Sequence, residues 1–95
     1  MALRVWVLDV AEAQKHYGRL IAELPNGKER NEIGDRSARA VSDAKDIFGV
    51  AFLDGKRGIV VLITCGASQC RSQDTAVAIG RLVKEHIDGN VGGGK

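Results

Sequence analysis

The stretch Asp54–Lys95, DGKRGIVVLITCGASQCRSQDTAVAIGRLVKEHIDGNVGGGK, decides how the rest of the chain is read. Asp54-Gly55-Lys56-Arg57-Gly58 is a hairpin turn, because its glycines supply the positive φ that tight turns require. Ile59–Thr64 (IVVLIT) is then a strand, and its unbroken apolar run marks it as central and covered on both faces. Cys65–Arg71 is a polar loop. Ser72 or Asp74 caps a helix over about Gln73–Asp88, with Ala76, Ile79, Gly80, Val83 and Ile87 on its apolar side. A glycine on that side predicts close approach to a sheet. Asp88-Gly89 ends the helix with a glycine cap, and Gly92-Gly93-Gly94-Lys95 closes the sequence.

Working outward, Phe48–Leu53 (FGVAFL) is a strand antiparallel to Ile59–Thr64 across the hairpin. Leu3–Val10 is another strand, with Leu3, Val5 and Val7 pointing one way and Trp6, Leu8 and Val10 the other. Apolar residues on both sides predict that both are covered. A helix opens at Asp9 or Val10 and runs to Leu24, with Asp9 and Glu12 at capping-box spacing. Ala13, Tyr17, Leu20, Ile21 and Leu24 form its apolar face, and Pro25-Asn26-Gly27 stops it. Lys28–Gly34 is a charged, solvated loop. Asp35 caps a second helix over Arg36–Ile47, on the narrow stripe Ala38, Val41, Ala44 and Ile47. The order β-α-α-β-β-α predicts an α+β fold, a two-layer sandwich of a mixed β-sheet packed by helices, in one domain spanning 1–95.

Composition narrows the function classes. Ninety-five residues with 44% apolar content suit one ordered core. Trp6, Tyr17, Phe48 and Phe52 are the aromatic residues, so aliphatic side chains must build that core. A net charge of +2 permits a basic patch without announcing a polyanion binder. Cys65 and Cys70 are spaced as neither a redox pair nor a zinc half-site, and are read as reduced thiols of a cytoplasmic protein. No run reaches the length of a membrane span.

Catalysis finds little to stand on. His16 and His86 lie on polar helical surface with no partner motif, and no HxxxH or DxD pair offers a metal site. The acidic residues are scattered among bases, as on a solvated face. The terminal GNVGGGK lacks the spacing of a nucleotide-hydrolysing P-loop, yet glycines let backbone N–H groups approach a phosphate. Lys56 and Arg57 at the hairpin tip, Arg71 in the loop, and Arg81 and Lys84 on the last helix are the candidates to share one surface with Gly92, Gly93, Gly94 and Lys95. Such a group grips phosphate and ribose without reading sequence.

Leu82-Val83-Lys84-Glu85, followed by Gly89-Asn90-Val91-Gly92-Gly93-Gly94-Lys95, resembles the C-terminal domain of alanyl-tRNA synthetases, which is shared with DHH-family phosphoesterases. The resemblance covers about Phe52–Lys95, with a weaker strand-and-helix likeness over Val5–Leu24. It implies a non-catalytic module with no cofactor and no metal, contacting the tRNA elbow and supporting alanylation of tRNA by a parent ligase in the cytoplasm. It also implies a homodimer contact. The expected contacts are Gly92, Gly93, Gly94 and Lys95, with Arg81 and Lys84. Two alternatives stand beside it: an interaction or dimerisation module without RNA contact, and the substrate-binding domain of a DHH-type phosphoesterase. The family carries a basic residue where this chain has Asn90-Val91, and continues past the glycines where this sequence ends. That ending implies a trimmed chain or a shortened version of the fold.

Overall fold

The computed structural model describes residues 1–89. Its elements are β1 (Ala2–Val7), α1 (Val10–Glu23), β2 (Lys28–Glu29), β3 (Arg36–Val41), β4 (Ile47–Asp54), β5 (Ile59–Gly66), α2 (Ala67–Cys70) and α3 (Gln73–Ile87). The strands form one five-stranded sheet in the order β1-β5-β4-β3-β2, and every neighbouring pair is antiparallel. This is a small α+β domain.

The apolar runs of β4 and β5 place these strands at the centre. Alternation then divides their side chains between two cores. Val50, Phe52, Val61 and Ile63 face α3 and pack with Ala76, Val77 and Ile33. Ala51, Leu53 and Val60 face α1 and pack with Ala13 and Tyr17. Each large side chain so buried contributes roughly 1.5–3 kcal/mol relative to exposure. Gly80 lets α3 settle onto its core, since a Cβ there would stand 2.7 Å from Ile33 Cδ1 and 3.4 Å from Val50 Cγ1.

The helix starts follow their sequence signals, whereas the expected glycine cap at Asp88-Gly89 is absent: Asp88 is right-handed helical and Gly89 is not among the positive-φ glycines. Asp9 caps α1, its Oδ1 accepting from the Glu12 N–H at 2.8 Å. Ser72 caps α3, its Oγ accepting from the Thr75 N–H at 3.3 Å. Gly58 closes the β4–β5 turn at φ +70°, and its carbonyl accepts from Leu8 N–H at 2.8 Å, locking the turn to the β1–α1 junction. Tyr17 is fully buried, and its hydroxyl donates to Glu29 Oε2 at 3.3 Å. Burial first, and then the Glu29 charge, push its phenol above the ordinary range.

Several expectations are corrected. The segment read as a second helix, Arg36–Ile47, is instead β3, a turn and the first residue of β4. Ala38 and Ala40 are buried at a spacing of two, and β3 pairs with β4 from Arg36↔Leu53 to Val41↔Phe48. Ser42 Oγ then organises the turn, accepting from the backbone of Asp46 and Ile47 while Lys45 takes φ +60°. Asp35 caps no helix; its Oδ2 accepts from Gly55 N–H at 2.6 Å. The chain order is therefore β-α-β-β-β-β-α-α, the sheet is antiparallel rather than mixed, and α1 and α3 cover opposite faces rather than making two layers.

β1 is an edge strand ending at Val7, and its Leu3, Val5 and Val7 are exposed rather than covered. The reason is that α3 lies mainly over β4. Finally, Cys65 and Cys70 are not separate thiols. They are paired as a disulfide with their Cα atoms 6.0 Å apart, an ordinary separation for the bond, and both are buried beside α3.

Candidate functional site

A groove runs between α3 and the segment 30–35 that leads into β3. Fifteen helical residues give it a length of roughly 20 Å. Three recesses make it up. Arg39, Lys45, Phe48, Arg71 and Asp74 line the end at the start of α3. Glu32, Ile33, Gly34, Arg81, Lys84 and Glu85 line the middle. Gly34, Asp35, Asp54, Lys56, Arg57, Lys84 and Asp88 line the far end, a recess of about 550 Å³. Two of the three share lining residues, and the first is linked to them only through an ion pair. Lys84 and Gly34 belong to both the middle and the far end. Arg39, at the first end, makes a two-point ion pair with Glu32 of the middle, both contacts at 2.8 Å.

Local sequence explains each wall. Segment 30–35 is held by the buried Ser37, whose Oγ accepts from the Glu32 and Ile33 N–H groups and donates to the Arg30 carbonyl. It is thus a fixed wall, with Ile33 in the core, rather than the solvated loop its charges suggest. Gly34 sits at φ +61°, with Lys84 Cε 3.6 Å from where a Cβ would be, so the wall passes close to α3. Arg39 binds the wall to the helix by also meeting Asp74 at 2.8 Å. Donating to Glu32 raises the Arg39 guanidinium further, and accepting from Arg39 holds Glu32 below the usual carboxylate range.

The far end is a closed charge network. Arg57 Nη1 donates to Asp54 Oδ2 at 2.6 Å and to Asp88 Oδ1 at 2.9 Å. Lys84 Nζ donates to the same Asp88 oxygen at 2.6 Å and lies 3.6 Å from Asp54. Asp54 is buried, its side chain 5% exposed. Burial pushes its carboxyl up, but hydrogen bonds from Arg57 and the charge of Lys84 outweigh that and hold it below the usual range. Lys84 first, then Arg57, hold Asp88 low as well.

All five sequence-predicted basic residues within the described chain, Lys56, Arg57, Arg71, Arg81 and Lys84, line this groove. They are strung along it rather than gathered in one patch. Arg71 stands at the opposite end of α3 from Lys84, about 13 residues and roughly 20 Å away. The predicted contacts Gly92, Gly93, Gly94 and Lys95 lie outside the described residues. Arg39 and Lys45 are not among the sequence candidates, because the segment that carries them is expected to be a helix rather than a strand and a turn.

The charges do not all have the same standing. Arg39, Arg57 and Lys84 are committed to carboxylates. Lys45, Lys56, Arg71 and Arg81 make no ion pair among the described residues. Six carboxylates face the same recesses as seven cations, so the general field along them is weak. No family model, curated protein or solved structure matches this chain. The side chains of the groove must therefore carry the functional reading.

Those side chains are suited to holding anions. Guanidinium and ammonium donors recur along the groove, and Phe48 offers an aromatic surface at one end. Among the described residues no group of three His, Cys, Asp or Glu is placed to hold a metal ion. No described helix is long and apolar enough to cross a membrane.

Proposed function

We propose that this chain is a nucleic-acid-binding module that lays a phosphate backbone along the α3 groove, with tRNA as its ligand. The observation that carries the reading is the placing of Arg71, Arg81 and Lys56 along α3, none of them in an ion pair with a carboxylate among the described residues. Spaced cations of this kind fix a backbone in register and leave sequence unread. The resemblance of Leu82–Glu85 and the following glycines to the alanyl-tRNA synthetase C-terminal domain supplies the RNA and the setting. On that reading the module contacts the tRNA elbow, needs no cofactor, and serves a cytoplasmic alanine–tRNA ligase whose catalytic centre lies elsewhere. The 65–70 disulfide is uncommon in that compartment, but both cysteines are buried, away from a soluble reductant.

Titration with tRNA at two salt concentrations tests this. About four unpaired cations predict a loss of affinity on the order of 100-fold between 50 and 200 mM salt, from the release of roughly one counterion per contact. Binding that ignores salt, or no binding at 50 mM, would refute it.

A second reading has its own observation. Leu3 and Val5 of β1, with Leu82, Val83 and Ile87 of α3, line an apolar trough on another side of α3, and Leu3, Val5 and Leu82 are each about half exposed or more. Such a surface suits a protein contact, including a homodimer. Sedimentation across a concentration series separates the two: self-association without RNA affinity favours the trough.

A further inference from the structure

We propose that Asp88 occupies the seat of an incoming phosphate, and that the far recess of the groove takes a phosphate oxyanion only when Asp88 swings out. This rests on the anion-binding reading of the groove and adds what guards it.

The geometry is specific. One oxygen, Asp88 Oδ1, accepts from Arg57 Nη1 at 2.9 Å and from Lys84 Nζ at 2.6 Å. A single oxygen shared by a guanidinium and an ammonium group is the arrangement a phosphoryl oxygen adopts when both cations bind it. The two carboxylates of the network are not equivalent. Asp54 is 5% exposed and holds Arg57 from beneath, at 2.6 Å. Asp88 is 48% exposed and is the C-cap residue that follows α3, outside both cores. Removing it leaves Arg57, Lys84 and Lys56 of this recess against two carboxylates, Asp54 and Asp35, the latter already accepting from Gly55 N–H. That is an excess of positive charge. With Asp88 in place, the network is neutral.

Ion pairing at the end of α3 explains the contacts equally well if the network only fastens the helix to the β4–β5 turn. The two accounts differ in what losing Asp88 does. A fastener that is lost weakens the fold and raises phosphate affinity only by the general effect of one exposed negative charge fewer, at most about twofold at physiological salt. A seat that is vacated binds phosphate more tightly.

The experiment titrates Asp88→Asn and the unaltered chain with inorganic phosphate and, separately, with tRNA. NMR follows the Arg57 Nε–Hε and Lys84 Nζ signals. The expected result is phosphate binding about tenfold tighter in Asp88→Asn, with both signals moving. Affinity unchanged within twofold, or weaker, in a folded variant overturns the proposal. If the variant does not fold, the unaltered chain still decides: saturating phosphate must move the Asp88 carboxyl ¹³C signal together with those of Arg57 and Lys84, and an unmoved Asp88 signal overturns it. The arms separate the two ideas. Phosphate seated without tRNA binding sinks the RNA reading and leaves the seat. Binding of tRNA with Arg57 and Lys84 unmoved sinks the seat and leaves the RNA reading.

Discussion

Replacing Asp54 by Asn tests whether the charge network holds the far end of the groove together. The side chain keeps its shape, and its remaining oxygen can still accept from the Arg57 backbone N–H, now at 3.4 Å. What goes is the charge that meets Arg57 Nη1 at 2.6 Å and Lys84 Nζ at 3.6 Å. A hydrogen bond to a charged group contributes about 1.5–3 kcal/mol. Solvent reaches the basic side of this network, so the lower part of that range applies, and the expected loss is about 2 kcal/mol. For a domain of this size that lowers Tm by roughly 8–16 °C. Urea unfolding followed by circular dichroism measures it, and pH supplies the sign. The Asp54 carboxyl is held below its unfolded value, so its contribution is complete above the unfolded pKa of about 4 and is lost as pH falls through the folded value. The stability gap between the two proteins should be constant from pH 7 to 5 and close in acid. A gap under 0.5 kcal/mol, or one that widens in acid, would refute the reasoning.

Gly58→Ala should destabilise the chain by at least about 2 kcal/mol in the same assay. Its φ is +70°, and a Cβ there would collide with the Leu8 carbonyl rather than with a movable side chain. Changing Lys45 and Arg71 together to Glu should weaken tRNA binding at least tenfold while moving Tm little, since both are exposed and unpaired among the described residues. Equal binding would remove the first end of the groove from the interface. Reducing the Cys65–Cys70 bond should cost about 2 kcal/mol, the chain-entropy value for so short a loop, and non-reducing mass spectrometry with alkylation shows whether the bond is present.

How far the sequence could be read depended on how sharply each segment excluded alternatives. Gln73–Ile87 repeats apolar residues at helical spacing between a serine cap and a glycine, and it is a helix. Ile59–Thr64 is too continuously apolar for an edge, and β5 is central. Arg36–Val41 was ambiguous in a definite way. Ala38, Val41 and Ala44 fit a helix, Ala38 and Ala40 fit a strand, and alanine favours the helix locally. Pairing with β4 decided the matter, and such pairing leaves no local mark. That one misreading also concealed half of the groove, because Arg39 reaches Glu32 and Asp74 only from a strand. The basic residues themselves were legible; their division into paired and unpaired was not, since Asp54 and Asp88 are 34 residues apart in the chain.

Amide chemical-shift mapping with tRNA tests the central claim most directly. The account predicts that signals of Lys45, Lys56, Arg71, Arg81 and Lys84 move together, while those of the exposed face of α1, such as Lys15 and Arg19, stay in place. Shifts concentrated on α1 or along β1, with the groove residues silent, would contradict it.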